Sequence, residues 1–67
     1  MLTEIKHYMC DRKPEDQDLI DAMIIARDKK CIVRIMWNER GYGQLHININ
    51  ENTSLTEAKR KVWKKYI

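Results

Sequence analysis

Apolar residues recur along this chain in two different periods, and the switches between them divide it into elements. Leu19, Ala22, Met23 and Ala26 repeat at helical spacing, with Ile20, Ile24 and Ile25 widening the stripe. Pro14 suits the first turn of a helix, where its missing N–H costs nothing. Glu15, Asp16 and Asp18 suit the positive end of the helix dipole, and Arg27, Lys29 and Lys30 the negative end. These signals predict a helix over roughly 14–29.

The period then changes to two. Cys31, Val33, Ile35 and Trp37 alternate with Ile32, Arg34 and Met36, which predicts a strand that is apolar on both faces and therefore central. Gln44 to Asn50 reads as a one-sided strand, with Leu45, Ile47 and Ile49 facing inward and Gln44, His46, Asn48 and Asn50 outward. Gly41 and Gly43 between them permit positive φ and predict a hairpin turn with a bulge.

Helical spacing returns after a Glu51-Asn52-Thr53 link. Ser54 followed by Glu57 three residues on is a capping box, and Leu55, Ala58, Val62 and Tyr66 form the inward stripe. Trp63 and Ile67 fall at its edge. Residues 2–10 fit either period; Thr3, Ile5 and Tyr8 favour a strand, and no helix cap precedes them.

The order is β-α-β-β-α, or α-β-β-α if the first segment is not a strand. Either way the expected fold is a small α+β two-layer sandwich with two helices on one face of a two- or three-stranded sheet. The other face would carry Ile32, Arg34, Met36, His46 and Asn48, a partly apolar surface that invites a partner.

At 67 residues the chain is one domain, 1–67, with a thin core. A deep, water-excluding active site is hard to build at that size, which argues against an enzyme and raises the odds of self-association. No apolar run approaches a membrane span, and the N-terminus lacks a signal-peptide pattern. A reducing cytosol is the expected location, with Cys10 and Cys31 as free thiols.

The net charge is +3, but charge is polarised along the chain. Residues 14–28 carry five acids against Arg27, a local −4. Residues 54–67 carry Lys59, Arg60, Lys61, Lys64 and Lys65 against Glu57, a local +4.

Candidate chemistry is sparse. His7, Cys10, Cys31 and His46 are zinc-ligand types, but their spacing matches no zinc site, and Cys31 and His46 fall on opposed sheet faces. A Cys–His nucleophile would need an ordered base and orienting group that the chain does not announce. Gly41-Tyr42-Gly43 is too short for a phosphate cradle. No cofactor, metal or small-molecule substrate is expected. A membrane-surface role for the last helix competes with its task of closing the core.

Two binding classes remain. In the first the chain is a protein-interaction module, with itself as one candidate partner. Met36, Trp37, Arg40 and Tyr42 at the hairpin end are of the types enriched at interfaces. On this reading Trp37 lies at the hairpin mouth, and Trp37→Ala leaves a folded protein. In the second, Lys59, Arg60, Lys61, Lys64 and Lys65 neutralise phosphates of a nucleic acid while Trp37, Tyr42 or Trp63 stacks on bases.

Overall fold

The computed structural model describes residues 4–67. It has the order β1 (Ile5–Cys10), α1 (Asp16–Lys29), β2 (Ile32–Glu39), β3 (Gly43–Ile49) and α2 (Leu55–Lys64). The α+β sandwich expected from the sequence is the fold observed. Leu2 and Thr3, which belong to the predicted first strand, lie outside the described residues.

The three strands lie in the order β1-β2-β3, so β2 is central. β1 runs parallel to β2, with Ile5 beside Ile32 and Met9 beside Met36. β3 runs antiparallel to β2, with Val33 opposite Ile49 and Glu39 opposite Gly43. This ladder holds one register from end to end, so the predicted bulge is absent from it. Tyr42 N–H closes a β-turn onto the Glu39 carbonyl (2.9 Å), and Gly41 occupies its third position at φ 88°. Only glycine takes that conformation without strain.

Both helices cover one face. Leu19, Ala22, Met23 and Ala26 of α1 and Ala58 and Val62 of α2 meet Val33, Ile35, Trp37, Ile47 and Ile49 in a single core. The small residues Ala22, Ala26 and Ala58, all fully buried, bring the helix backbones close to the sheet.

α1 starts two residues later than Pro14 predicts. Glu15 is the N-cap, and its backbone N–H donates to the Asp18 carboxylate (2.9 Å). Pro14 is buried just outside the helix instead of opening it. At the other end Lys30 takes a left-handed conformation (φ 50°, ψ 52°), and its N–H returns to the Ala26 carbonyl. α2 opens as predicted on Ser54, whose hydroxyl accepts from Glu57 N–H (3.1 Å), but only this half of the predicted capping box forms; the other half, an N-cap N–H donating to the carboxylate three residues on, is made at α1 instead.

The link before α2 is more than a spacer. Thr53 is buried; its hydroxyl accepts from Asn50 N–H (3.0 Å) and donates to Asn50 Oδ1 (3.1 Å). Asn52 N–H also donates to Asn50 Oδ1 (2.8 Å), so an Asx turn fixes the direction in which α2 leaves the sheet.

Candidate functional site

The four hairpin residues predicted as a contact patch are not brought together. Trp37 is 0% exposed and sits at the centre of the core. Its side chain shares the parity of Val33 and Ile35, so it points under the helices, away from the hairpin mouth. Its indole N–H donates to the Tyr66 hydroxyl (2.8 Å), which in turn donates to the Glu39 carboxylate. Burial, and then the bond to Glu39, push the Tyr66 hydroxyl pKa up; the Trp37 donor opposes this without winning. Tyr42 packs on the Tyr66 ring at 5.2 Å, and Lys13 Nζ lies 5.2 Å from the same ring. Trp37 and Tyr42 thus belong to a latch that ties the end of α2 to the hairpin. Arg40 is exposed at the turn, and Met36 points to the opposite side of the sheet.

Among the described residues nothing covers that opposite side, the bare face of the sheet. Ile5, His7 and Met9 of β1, Ile32, Arg34, Met36 and Asn38 of β2, and Gln44, His46 and Asn48 of β3 all have the parity that faces away from the helices. Ile5 is 42% exposed and Met9 62%, each beside an apolar neighbour on β2. A third of the chain's residues are charged, yet among the described residues Arg34 alone is charged on this face. Its Nε donates to Asn48 Oδ1 (3.1 Å). Sequence parity had placed Ile32, Arg34, Met36, His46 and Asn48 here. Ile5 and Met9 join them because the parallel pairing of β1 fixes which of its faces is outward.

The five basic residues of α2 are divided between two concavities. Lys59 and Arg60 line a groove of about 460 Å³ between α2 and the start of α1, together with Lys13, Pro14 and Trp63. Lys59 Nζ lies 3.5 Å from the Asp16 carboxylate, an exposed ion pair that joins the acidic and basic helices beside their apolar packing. Lys61, Lys64 and Lys65 line a shallower hollow of about 350 Å³ beside His46 at the free edge of β3. Lys61 is half-buried, and its ammonium donates to the Asn48 carbonyl (2.9 Å), capping that edge.

The remaining titratable cluster surrounds Asp18. Its carboxylate accepts from Glu15 N–H, from the Tyr8 hydroxyl (3.1 Å) and from Arg12 (3.4 Å). The backbone donor is the main cause of a pKa below the usual carboxylate range, with smaller help from Tyr8 and Arg12. Cys10 is half-buried nearby, and burial pushes its thiol pKa up, followed by the Asp18 charge. Such a thiol is a poor nucleophile. The cluster joins the end of β1 to the start of α1.

Cys10 and Cys31 are unbridged. Cys31 is buried under the helices while His46 lies on the bare face. Among the described residues no group of three or more His, Cys, Asp or Glu side chains is placed to hold a metal ion. Nor, among them, is any helix long and apolar enough to cross a membrane. Comparison with known proteins gives no match: no family model, no curated protein and no solved structure is significantly similar to this chain.

Proposed function

We propose that this protein is a non-enzymatic binding module that acts through the bare face of its sheet, with a second copy of itself as the partner. One observation carries the reading. The face left uncovered by the helices holds the Ile5–Ile32 and Met9–Met36 pairs side by side and, among the described residues, one charge, that of Arg34, whose Nε is hydrogen-bonded to Asn48. Depletion of charge marks the core of an interface, and methionine adapts to whatever packs on it.

A second copy fits for a physical reason. A domain of this size has little core of its own, and stacking two bare faces about a two-fold axis sets each apolar strip against its counterpart. Three strands spaced about 4.8 Å apart and about 20 Å long give a flat area of roughly 300 Å². A standard stable interface takes about 800 Å² per partner. The face alone therefore supports a weak, concentration-dependent dimer.

Sedimentation equilibrium tests this directly. The wild-type chain is expected to shift from monomer toward dimer between about 10 μM and 1 mM. Met9→Lys and Met36→Lys place a charge on the face and are expected to remain monomeric over that range. Their circular dichroism should stay unchanged, because neither side chain belongs to the buried core. A wild-type chain that stays monomeric at about 1 mM removes the second copy as partner.

A further inference from the structure

The helices of this protein carry a second surface, on the side away from the bare sheet face, with a different chemistry. Trp63 is 61% exposed although it adjoins Val62, which is buried. A single exposed aromatic side chain is ordinary on a protein surface, and what singles Trp63 out is its setting. It stands in the wall of the groove between α2 and the start of α1, and the groove is rimmed by cations from both walls. Arg60 and Lys59 precede Trp63 by three and four residues, so all three share one side of α2. Lys13 approaches from the other wall, its ammonium held over the Tyr66 ring. Lys64 is one turn beyond Arg60 and carries positive charge out of the groove over α2.

We infer that this groove binds single-stranded nucleic acid, with a base stacked on Trp63, phosphates held in the groove by Arg60 and Lys13, and a further phosphate met by Lys64 where the strand leaves it. Charge complementarity requires a polyanion, and the exposed indole selects among polyanions. Every unpaired base offers a flat π-face to an aromatic side chain, whereas the carboxylate side chains of an acidic peptide offer none. A duplex keeps its base faces hidden, and α1 and α2, with two strands between them in the chain, do not form a helix-turn-helix unit that would set α2 in a groove of DNA. An anionic membrane would need an apolar helix side to insert, and that side of α2 is spent in the core on Ala58 and Val62. The five basic residues therefore have unequal roles. Arg60 lines the groove, and Lys64 lies beyond its end, on the side of the hollow beside His46. Lys61 holds the edge of β3, and Lys59 is partly offset by Asp16.

The two tryptophans supply the test. Trp37 is sealed in the core, so a ligand that changes tryptophan emission reports on Trp63. The full chain is titrated with fluorescein-labelled oligothymidine and oligouridine of about 12 nucleotides, following anisotropy and intrinsic emission. Binding should quench tryptophan emission. With three phosphate contacts, affinity should fall about 20-fold between 50 and 200 mM salt. Trp63→Ala should weaken binding by about tenfold or more and Trp63→Phe by much less. Arg60→Ala should flatten the salt dependence. Asp16→Asn, which removes the one carboxylate in the groove, should tighten binding. Far-ultraviolet circular dichroism should not change for these exposed positions. No binding at about 50 mM salt overturns the proposal. So does binding unaffected by Trp63→Ala, or equal binding of heparin, of an acidic peptide, of duplex DNA or of anionic vesicles. The face for self-association is separate, so Met9→Lys should leave oligonucleotide binding intact, and each idea can fail alone.

Discussion

At the residue scale, Trp37 shows how far a side chain's role depends on neighbours distant in sequence. Its parity with Val33 and Ile35 marks the inward face, yet a tryptophan beside a turn reads equally well as a contact residue. Tyr66 decides the matter from 29 residues away, by taking the indole N–H that would otherwise be buried without a partner. Trp37→Ala is therefore expected to cost about 3–5 kcal/mol, enough to unfold a domain of marginal stability. Tyr66→Phe leaves that donor unpaired and should cost about 1–3 kcal/mol. Urea unfolding of both variants checks the order: Trp37→Ala first, Tyr66→Phe second. Tyr66→Phe as costly as Trp37→Ala would mean that the polar latch, and not packing, dominates.

Asp18 is the second decisive residue. Its pKa is lowered by the Glu15 N–H, so the folded state binds its proton less readily than the unfolded chain does. The stabilisation it gives is present above the ordinary carboxylate value of about 4 and is lost as pH falls through the lowered folded value. Stability measured in urea from about pH 6 down to pH 2 should fall through this window. Asp18→Asn should flatten the fall while lowering stability at neutral pH.

At the scale of elements, α2 is held by its apolar stripe and not by its charges. Ala58 and Val62 are buried, Leu55 is half-buried, and Lys64 and Lys65 are exposed. Val62→Ala or Leu55→Ala should cost about 1–4 kcal/mol, whereas Lys64→Ala and Lys65→Ala should each cost less than about 0.5 kcal/mol. Thermal melting followed by circular dichroism measures both. A large loss from either lysine would show that the hollow beside β3 is a structural seam instead of an open surface. The same helix protects the sheet: Lys61 covers a carbonyl on the β3 edge that would otherwise be open to another strand. The helices attract one another through the Lys59–Asp16 pair, whose side chains are 55% and 61% exposed. Their opposite charges thus contribute little to holding them together.

At the scale of the whole molecule, the shortest dimension is 18 Å, room for one helix layer on one sheet layer and nothing more. Every helical residue of the core lies on the same side, which leaves the opposite sheet face without cover. If two copies close those faces on each other, the melting temperature of the wild type should rise with protein concentration and that of Met9→Lys should not, because association stabilises only the folded state. The two surfaces point in different directions and differ in kind. One is apolar and nearly uncharged; the other is cationic with an exposed indole.

The sequence by itself determined the elements, their order and most of their inward faces. Periodicity is a local property: the Leu19–Ala26 stripe, the alternation through β2 and β3, and the Ser54–Glu57 start of α2 each lie within one segment. What only the tertiary structure decided involves residues far apart in the chain. Parallel pairing with β2 set the outward face of β1 and so added Ile5 and Met9 to the bare surface. Packing of α2 against α1 and β3 split one run of basic residues into a groove with Trp63 and a hollow beside His46. Asp18 reads from sequence as an ordinary first-turn acid of α1 and Thr53 as part of a polar link, so neither anchoring role shows in the pattern. The Tyr8 hydroxyl reaches Asp18 from β1, whereas the Glu15 and Asn50 donors are local, and a pattern of hydrophobic and polar letters records neither the partner from another element nor the local turn geometry.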